Sequence, residues 1–390
     1  MRILITSPVF PPDLGGPAVY VPSIGAFLLE QGHDVKVVAF CADPHPTGYP
    51  FPVTAVTRGP LPLRYLKAFF AVLREAKDVD VVYVQEHLAL LHVLAAKLRG
   101  KPAVIRMMVD GAWEISHRKG WCDGDDIVTF GTKRYGWKVR LVQRLQKVWW
   151  GWCTRIIACS EFLRQIAIQR YGVPEDKAVR IVNAYHGVDP KDAELPREQA
   201  RAKLGRPQLA SGRHVLTICR LMVWKGVDFV LRAIAELPDD VHFWIAGDGD
   251  MEQPWKDLAE ELGIGGRVHF LGNVPHADIP AWIRAADVFV LNSEYEGLSH
   301  TLLEVSVLGT PAVATGVCGN PEVVEDGVNG LLVPMRDAGA VKNALERLLD
   351  DPQLRERFAQ AGRERAREFT RAETFPRVEE VLRRAAAGEA

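Results

Sequence analysis

Short runs of Val, Ile and Leu alternate with longer amphipathic stretches from one end of the chain to the other. Residues 3–6, 35–40, 79–84 and 103–107 are apolar at nearly every position, the mark of strands covered on both faces. Between them, 18–31, 63–77 and 87–99 carry apolar residues at helical spacing. Gly32 and Gly100 stand where helix C-caps belong. Strands separated by helices in this way predict an α/β fold built on a doubly wound parallel sheet.

The alternation weakens between 187 and 213, a polar stretch with Pro190, Pro196, Gly205 and Pro207. A second series then follows at 215–218, 243–246, 268–271, 288–291, 312–315 and 331–333, each run trailed by a helical pattern. Two series predict two Rossmann-like doubly wound domains facing a central cleft. The expected division is 1–190, a linker at 191–212, a second domain at 213–365 and a C-terminal helix at 366–390. The last part of that helix, 372–387, has no strand beside it in sequence, and the expectation is that it packs back on the first domain.

A length of 390 residues and 43.4 kDa agrees with two cores rather than one. Apolar residues at 48% and charged ones at 25% describe a globular chain, and the net charge of −1 argues against a nucleic-acid partner. The charge is unevenly spread. Residues 1–195 hold 25 Lys and Arg against 19 Asp and Glu, while the remainder is acidic, so the first half suits an anionic partner. Cys41, Cys122, Cys153, Cys159, Cys219 and Cys318 form no CxxC pair and no zinc-ligand spacing, which predicts reduced thiols and no metal site. The first ten residues lack the apolar core of a signal peptide, and the longest uncharged run, 305–321, is broken by Gly309, Pro311, Gly316 and Gly319. The expected location is therefore the cytoplasm.

Ligands of open α/β sheets bind beyond the carboxyl ends of the strands, which directs attention to the loops there. The first such loop carries Gly15 and Gly16 ahead of a helix, which suits a phosphate or is simply a Pro/Gly loop; it is not GxGxxG. The loop after 215–218 places Arg220 and Lys225 five residues apart, either as a clamp on a diphosphate or as solvated cations. The loop after 288–291 opens a helix near Ser299 whose first amides are free for a phosphate. Glu304 lies about one turn inside, where a carboxylate can take the hydroxyl pair of a ribose, and Glu296 could serve a sugar in the same way. The plainer reading makes both glutamates ordinary residues of a helix start.

These segments carry a resemblance. CRLMVWKG (219–226), IAGDGD (245–250), the run 292–304 and ATGVCGNPEVVEDGVNGLL (314–332) together resemble the C-terminal half of retaining glycosyltransferases of the GT-B fold, family 4. The Gly15-Gly16 loop, Ser160-Glu161-Phe162-Leu163 and NAYHGVD (183–189) resemble that family's first domain, so the likeness spans essentially the whole chain. It implies transfer of a sugar from a nucleoside diphosphate sugar, a UDP- or GDP-sugar, to an acceptor hydroxyl on a glycan, a lipid-linked molecule or a small molecule. Arg220 and Lys225 would hold the diphosphate, Glu304 the ribose, and the backbone and pocket shape around Gly247 and Val274 the base. Glu296 and the amides of Gly297, Leu298, Ser299, His300 and Thr301 would address the sugar and phosphates, and Gly16 the distal phosphate. No metal and no further cofactor is implied.

The chain departs from the family's pattern at two places. Cys219 stands where a glycine is usual, and Val109 where many members carry a histidine before an aspartate. Asp110 is then the candidate polar group at the reacting carbon, Trp113 a candidate sugar-stacking face, and His117 an outside candidate. Two Asp-x-Asp strings, at 123–125 and 248–250, read as turns. Residues 133–155 hold seven cations (Lys133, Arg134, Lys138, Arg140, Arg144, Lys147 and Arg155), no acid, and Tyr135, Trp137, Trp149, Trp150 and Trp152 among them. That composition suits an anionic membrane surface, at the inner face of the membrane, or a tryptophan-packed helix with a solvated basic side. Rival readings of the whole are a disaccharide synthase or phosphorylase of the same fold, an epimerase, and a non-catalytic nucleotide-sugar-binding protein.

Overall fold

A computed structural model describes residues 1–389 except 14, 58 and 86–88, and of Leu61 the backbone alone. Contacts divide the chain into two compact units, Met1–Val182 with Ala372–Ala390, and Asn183–Arg371. Each is built on one parallel sheet.

Among the described residues the first unit holds seven strands: β1 (Arg2–Ser7), β2 (Asp34–Phe40), β3 (Val53–Val56), β4 (Val81–Val84), β5 (Ala103–Met107), β6 (Arg155–Ala158) and β7 (Ala178–Arg180). Their order is β3-β2-β1-β4-β5-β6-β7, with Ile3 paired to Val35 on one side and Val81 on the other. The direction of winding therefore reverses between β1 and β4. Helices α1 (Gly16–Glu30), α2 (Leu61–Glu75), α3 (Leu90–Leu98), α4 (Gly111–Arg118) and α5 (Trp137–Trp152) are the longer connections of this unit. The first two residues of the helix expected at 87–99 lie outside the described residues. Gly32 and Gly100 take φ of 82° and 65° just past α1 and α3, as the sequence predicts.

The C-terminal helix Arg371–Ala387 closes the first unit. Phe375 sets its ring edge-on against Tyr20 and Phe27, Glu379 bonds His33 at 3.1 Å, and the Arg377 guanidinium donates to the carbonyl of Arg180 at 3.1 Å.

The second unit has six strands: β8 (Arg213–Ile218), β9 (Val241–Ala246), β10 (Val268–Gly272), β11 (Val288–Leu291), β12 (Ala312–Thr315) and β13 (Gly330–Val333). Their order is β10-β9-β8-β11-β12-β13, so the winding reverses between β8 and β11. Val215, Phe243, Ile245, Val288 and Val290 fill its core with residues of the flanking helices. The stretch 191–212 is not bare chain. It forms the helix Arg197–Leu204, which packs on Ile279–Ala285 and anchors Arg201 to Asp287 at 2.9 Å and to the carbonyl of Ala285 at 3.0 Å. All six cysteines are free thiols.

Candidate functional site

The reversal between β8 and β11 leaves a crevice beyond the carboxyl ends of both strands, since the loops that leave them depart to opposite sides. The loop after β8 supplies Arg220 and Lys225; the loop after β11 supplies Glu296. They meet there. The Lys225 ammonium reaches the Glu296 carboxylate at 2.6 Å, and both side chains are largely enclosed. Burial pushes Lys225 down, but the charge and hydrogen bond of the Glu296 carboxylate, together with the Cys219 sulfur, hold the ammonium above its ordinary value. Burial also pushes the neighbouring Cys219 thiol up to about 11, so it stays protonated. The Arg220 side chain is exposed and makes no ion pair or hydrogen bond among the described residues, while its backbone carbonyl accepts from the Met222 amide at 2.8 Å.

Both loops are held by backbone contacts. Gly247 sits at φ 128°, and a Cβ there would overlap the carbonyl oxygen of Cys219; only glycine lets the two loops come so close. The Leu221 amide then donates to the Asp248 carbonyl at 2.7 Å, and the Gly247 amide to that of Gly272 at 2.8 Å. Gly319 plays the same part beyond β12: a Cβ there would overlap the Gly297 carbonyl, and its amide donates to the backbone carbonyl of Glu296 at 3.0 Å. The Glu294 amide bonds the carbonyl of Trp224, the Asn292 side-chain amide donates to Gly226, and Asn183 donates to the carbonyl of Leu298 at 3.3 Å. The run 292–299 is thereby fixed before any ligand arrives, which is what a preorganised site requires.

From this run the helix His300–Leu308 starts. The Ser299 hydroxyl caps it by accepting from the Leu302 amide at 3.3 Å. The earlier first-turn amides have no acceptor within the helix and present partial positive charge at its end. Glu304 lies one turn in, 8% exposed. No donor or cation reaches its carboxylate among the described residues, and burial pushes it up to about 8. A carboxylate desolvated without a partner is costly for the free protein, and a ligand bringing hydroxyl donors would relieve it. Val274 is half-buried in a pocket beyond β10 lined by Arg206, Asn273 and Trp282.

Residues 198–365 match the family model "Glycosyl transferases group 1", and 15–184 match "Glycosyl transferase 4-like domain". The chain belongs to the GT-B glycosyltransferases of family 4. Among relatives, the lipopolysaccharide core biosynthesis glycosyltransferase LpsE of Rhizobium meliloti is 38% identical over 42% of this chain and 47% of its own. The α-D-kanosaminyltransferase of Streptomyces kanamyceticus is 37% identical over 43% of this chain and 44% of its own. The matches thus span about half the length of these two relatives. Among solved structures, Anabaena HepE in complex with UDP shares the fold with a TM-score of 0.77 at 22% identity, covering 98% of this chain and 100% of that one.

In this family-4 glycosyltransferase the first unit's candidates are placed differently from what the sequence suggested. Asp110 is fully buried as the N-cap of α4. Its Oδ1 accepts from the Gln146 amide at 2.8 Å, the Tyr171 hydroxyl at 2.7 Å and the Ala112 backbone N–H at 3.1 Å; its Oδ2 accepts from Arg170 at 2.7 Å. Both oxygens are engaged, so in this structure Asp110 ties α4, α5 and the segment around Arg170 together. Trp113 is also enclosed, its indole N–H donating to the carbonyl of Asp125 at 3.1 Å, and it offers no open face to a sugar. His117 stacks on that indole with ring centroids 5.2 Å apart. Gly15 and Gly16 are exposed at the start of α1, beside the reversal between β1 and β4.

Asp110→Asn is expected to destabilise the protein by roughly 2–3 kcal/mol, because Arg170 loses a buried counter-charge. The melting temperature should fall by several degrees while the nucleotide response of the second unit stays unchanged. Normal melting with lost transfer would instead place Asp110 in the chemistry.

Both Asp-x-Asp strings are turns. Asp123 takes φ 53° and Asp125 is held by Lys133 at 3.1 Å and by the Tyr135 hydroxyl, while Asp248 serves through its backbone. Among the described residues, no group of three or more His, Cys, Asp or Glu side chains is placed to hold a metal ion. Sequence reasoning missed Asn183, Trp224 and Gly319 as supports of the site, since each acts through backbone groups far away in sequence.

Proposed function

We propose that this protein transfers a sugar from a nucleoside diphosphate sugar to an acceptor hydroxyl, with retention at the anomeric carbon. The observation that carries the reading is Glu304: a buried carboxylate with no partner, one turn inside a helix that begins at the crevice where Lys225 and Arg220 lie. A ribose diol would satisfy Glu304, with the diphosphate beside it meeting the helix amides and the two cations. The UDP bound to HepE favours a uridine donor; a GDP-sugar is the next candidate. Val274 and the backbone at Gly247 would face the base.

Among the described residues Glu296 is paired with Lys225 and Asp110 is enclosed, so neither of these carboxylates is free to attack, which supports a same-face reaction. The acceptor oxygen bonds to the anomeric carbon as the bond from that carbon to the diphosphate breaks. The electron pair leaves on the phosphate, whose oxygen takes the acceptor's proton. Arg220, Lys225 and the amides of Gly297–Thr301 stabilise the growing phosphate charge, so the reading needs no metal. Lys225 can turn one of its three N–H groups to the phosphate while Glu296 keeps another or turns to the sugar hydroxyls.

The acceptor is a glycan, a lipid-linked molecule or a small molecule. The basic stretch 133–155 supports a lipid-linked one, with contact to an anionic membrane from the cytoplasmic side. Among the described residues no helix is long and apolar enough to cross a membrane. A non-catalytic nucleotide-sugar-binding protein is the second reading, favoured by Val109 and by the enclosure of Asp110.

Thermal melting with UDP, GDP, ADP, dTDP and their sugars, with and without EDTA, tests the donor. UDP at about a hundred times its Kd should add about 2.7 kcal/mol and raise melting by roughly 5–10 °C, EDTA or not. Silence with every nucleotide would refute the donor reading. Binding without product from any acceptor would favour the second reading.

A further inference from the structure

Among the described residues twelve large apolar side chains are exposed, and eight of them sit on α2, α3 and α5, three helices that hold 40 of the 390 residues. On α5 they are Trp137, Leu141, Leu145 and Val148, spaced as one stripe, while Val139, Gln146, Trp149 and Trp150 fill the opposite, buried side. On α2 they are Leu63, Leu66 and Phe70, again one stripe. Leu98 ends α3, which packs against both neighbours. Arg99 donates to the carbonyl of Leu73 at 2.7 Å, and the Lys97 ammonium lies 4.6 Å from the centre of the Trp152 ring.

The same helices carry eight cations and one acid. That acid, Glu75, is held by Arg74 at 2.9 Å and Lys36 at 3.5 Å. Four of the cations, Lys138, Arg140, Arg144 and Lys147, are exposed along the apolar stripe of α5. Apolar tips set among uncompensated cations fit a surface that is anionic outside and oily just beneath. A protein partner or a second copy of this basic face meets only half of that description.

The geometry points to α2, α3 and α5 as one membrane-docking face that lies on an anionic bilayer, with Phe70 and Trp137 among the residues entering the headgroup layer. This rests on reading 133–155 as a membrane contact and extends it to α2, which the sequence did not single out.

Sedimentation of the full chain with vesicles tests it, using phosphatidylcholine alone and an equal mixture with phosphatidylglycerol. The chain should pellet with the mixture and stay in solution with phosphatidylcholine alone. Leu141→Ser with Leu145→Ser should lower partitioning about tenfold or more, and so should Leu66→Ser with Phe70→Ser. Arg140→Gln and Arg144→Gln should each lower it about fivefold. All six sites are exposed, so melting and the nucleotide response should be unchanged.

Loss of binding only in the α5 variants overturns the three-helix face and leaves the reading of 133–155 standing. No binding to either vesicle overturns both while leaving the donor chemistry untouched. A dimer in solution that the same substitutions dissociate would also overturn docking.

Discussion

Lys225→Ala is expected to lower kcat/KM for sugar transfer by about 10²–10³, the usual loss when one charged group is removed from a site of developing phosphate charge. Lys225 stands on the loop after β8, its ammonium 2.6 Å from Glu296 on the loop after β11. Alanine therefore also leaves a largely enclosed carboxylate without its counter-charge. The two effects are separable. Glu296→Gln in the Lys225→Ala background removes the stranded charge; the double variant should regain melting temperature but not activity. Arg220→Ala, with no partner to strand, should lose transfer with no change in melting. Near-normal kcat/KM in either single variant would sink the diphosphate assignment.

Most of both sheets was legible because their strands are covered on both faces and so read as unbroken apolar runs. The expected 215–218, 288–291 and 312–315 lie within or coincide with β8, β11 and β12. Three strands were not read. β3 and β7 form the edges of the first sheet, where short half-exposed strands carry little pattern, and β6 opens on Arg155 straight after α5.

The placement of the candidate donor residues was legible because they sit on loops directly following strands, so that local order fixes their place. The enclosure of Asp110 was not legible because nothing nearby in sequence shows its surroundings: Gln146, Arg170 and Tyr171 come from 36 to 61 residues further on. Helical spacing likewise locates the stripe of Leu63, Leu66 and Phe70 but says nothing about what covers it. The Lys225–Glu296 pair spans 71 residues, and separate roles for its two members were the natural reading of separate motifs.

Glu304 gives the second large effect, and its sign depends on pH. In the free protein burial raises this carboxyl from the usual 4.5 to about 8, so at neutral pH it is mostly protonated. A ribose diol donates two hydrogen bonds, which favours the ionised form. Binding then releases a proton, and nucleotide affinity must rise with pH until the free carboxyl has itself ionised. Relative to Glu304→Gln, affinity for UDP should grow by up to about a hundredfold between pH 6 and 9 and then level off.

The ratio matters, because the titration of the phosphate is common to both proteins and cancels. Without nucleotide the linkage runs the other way. A carboxyl whose folded value is raised stabilises fully below about 4.5, and that stability is lost as pH climbs through about 8. Above that pH the Gln variant should therefore melt several degrees higher than the parent unless UDP is present. Glu304→Ala should weaken UDP about tenfold to a hundredfold at pH 9, by removing both acceptors of the diol. Calorimetric titration at several pH values reads affinity and proton release together. A ratio that does not move with pH, with no proton released, would take the ribose away from Glu304.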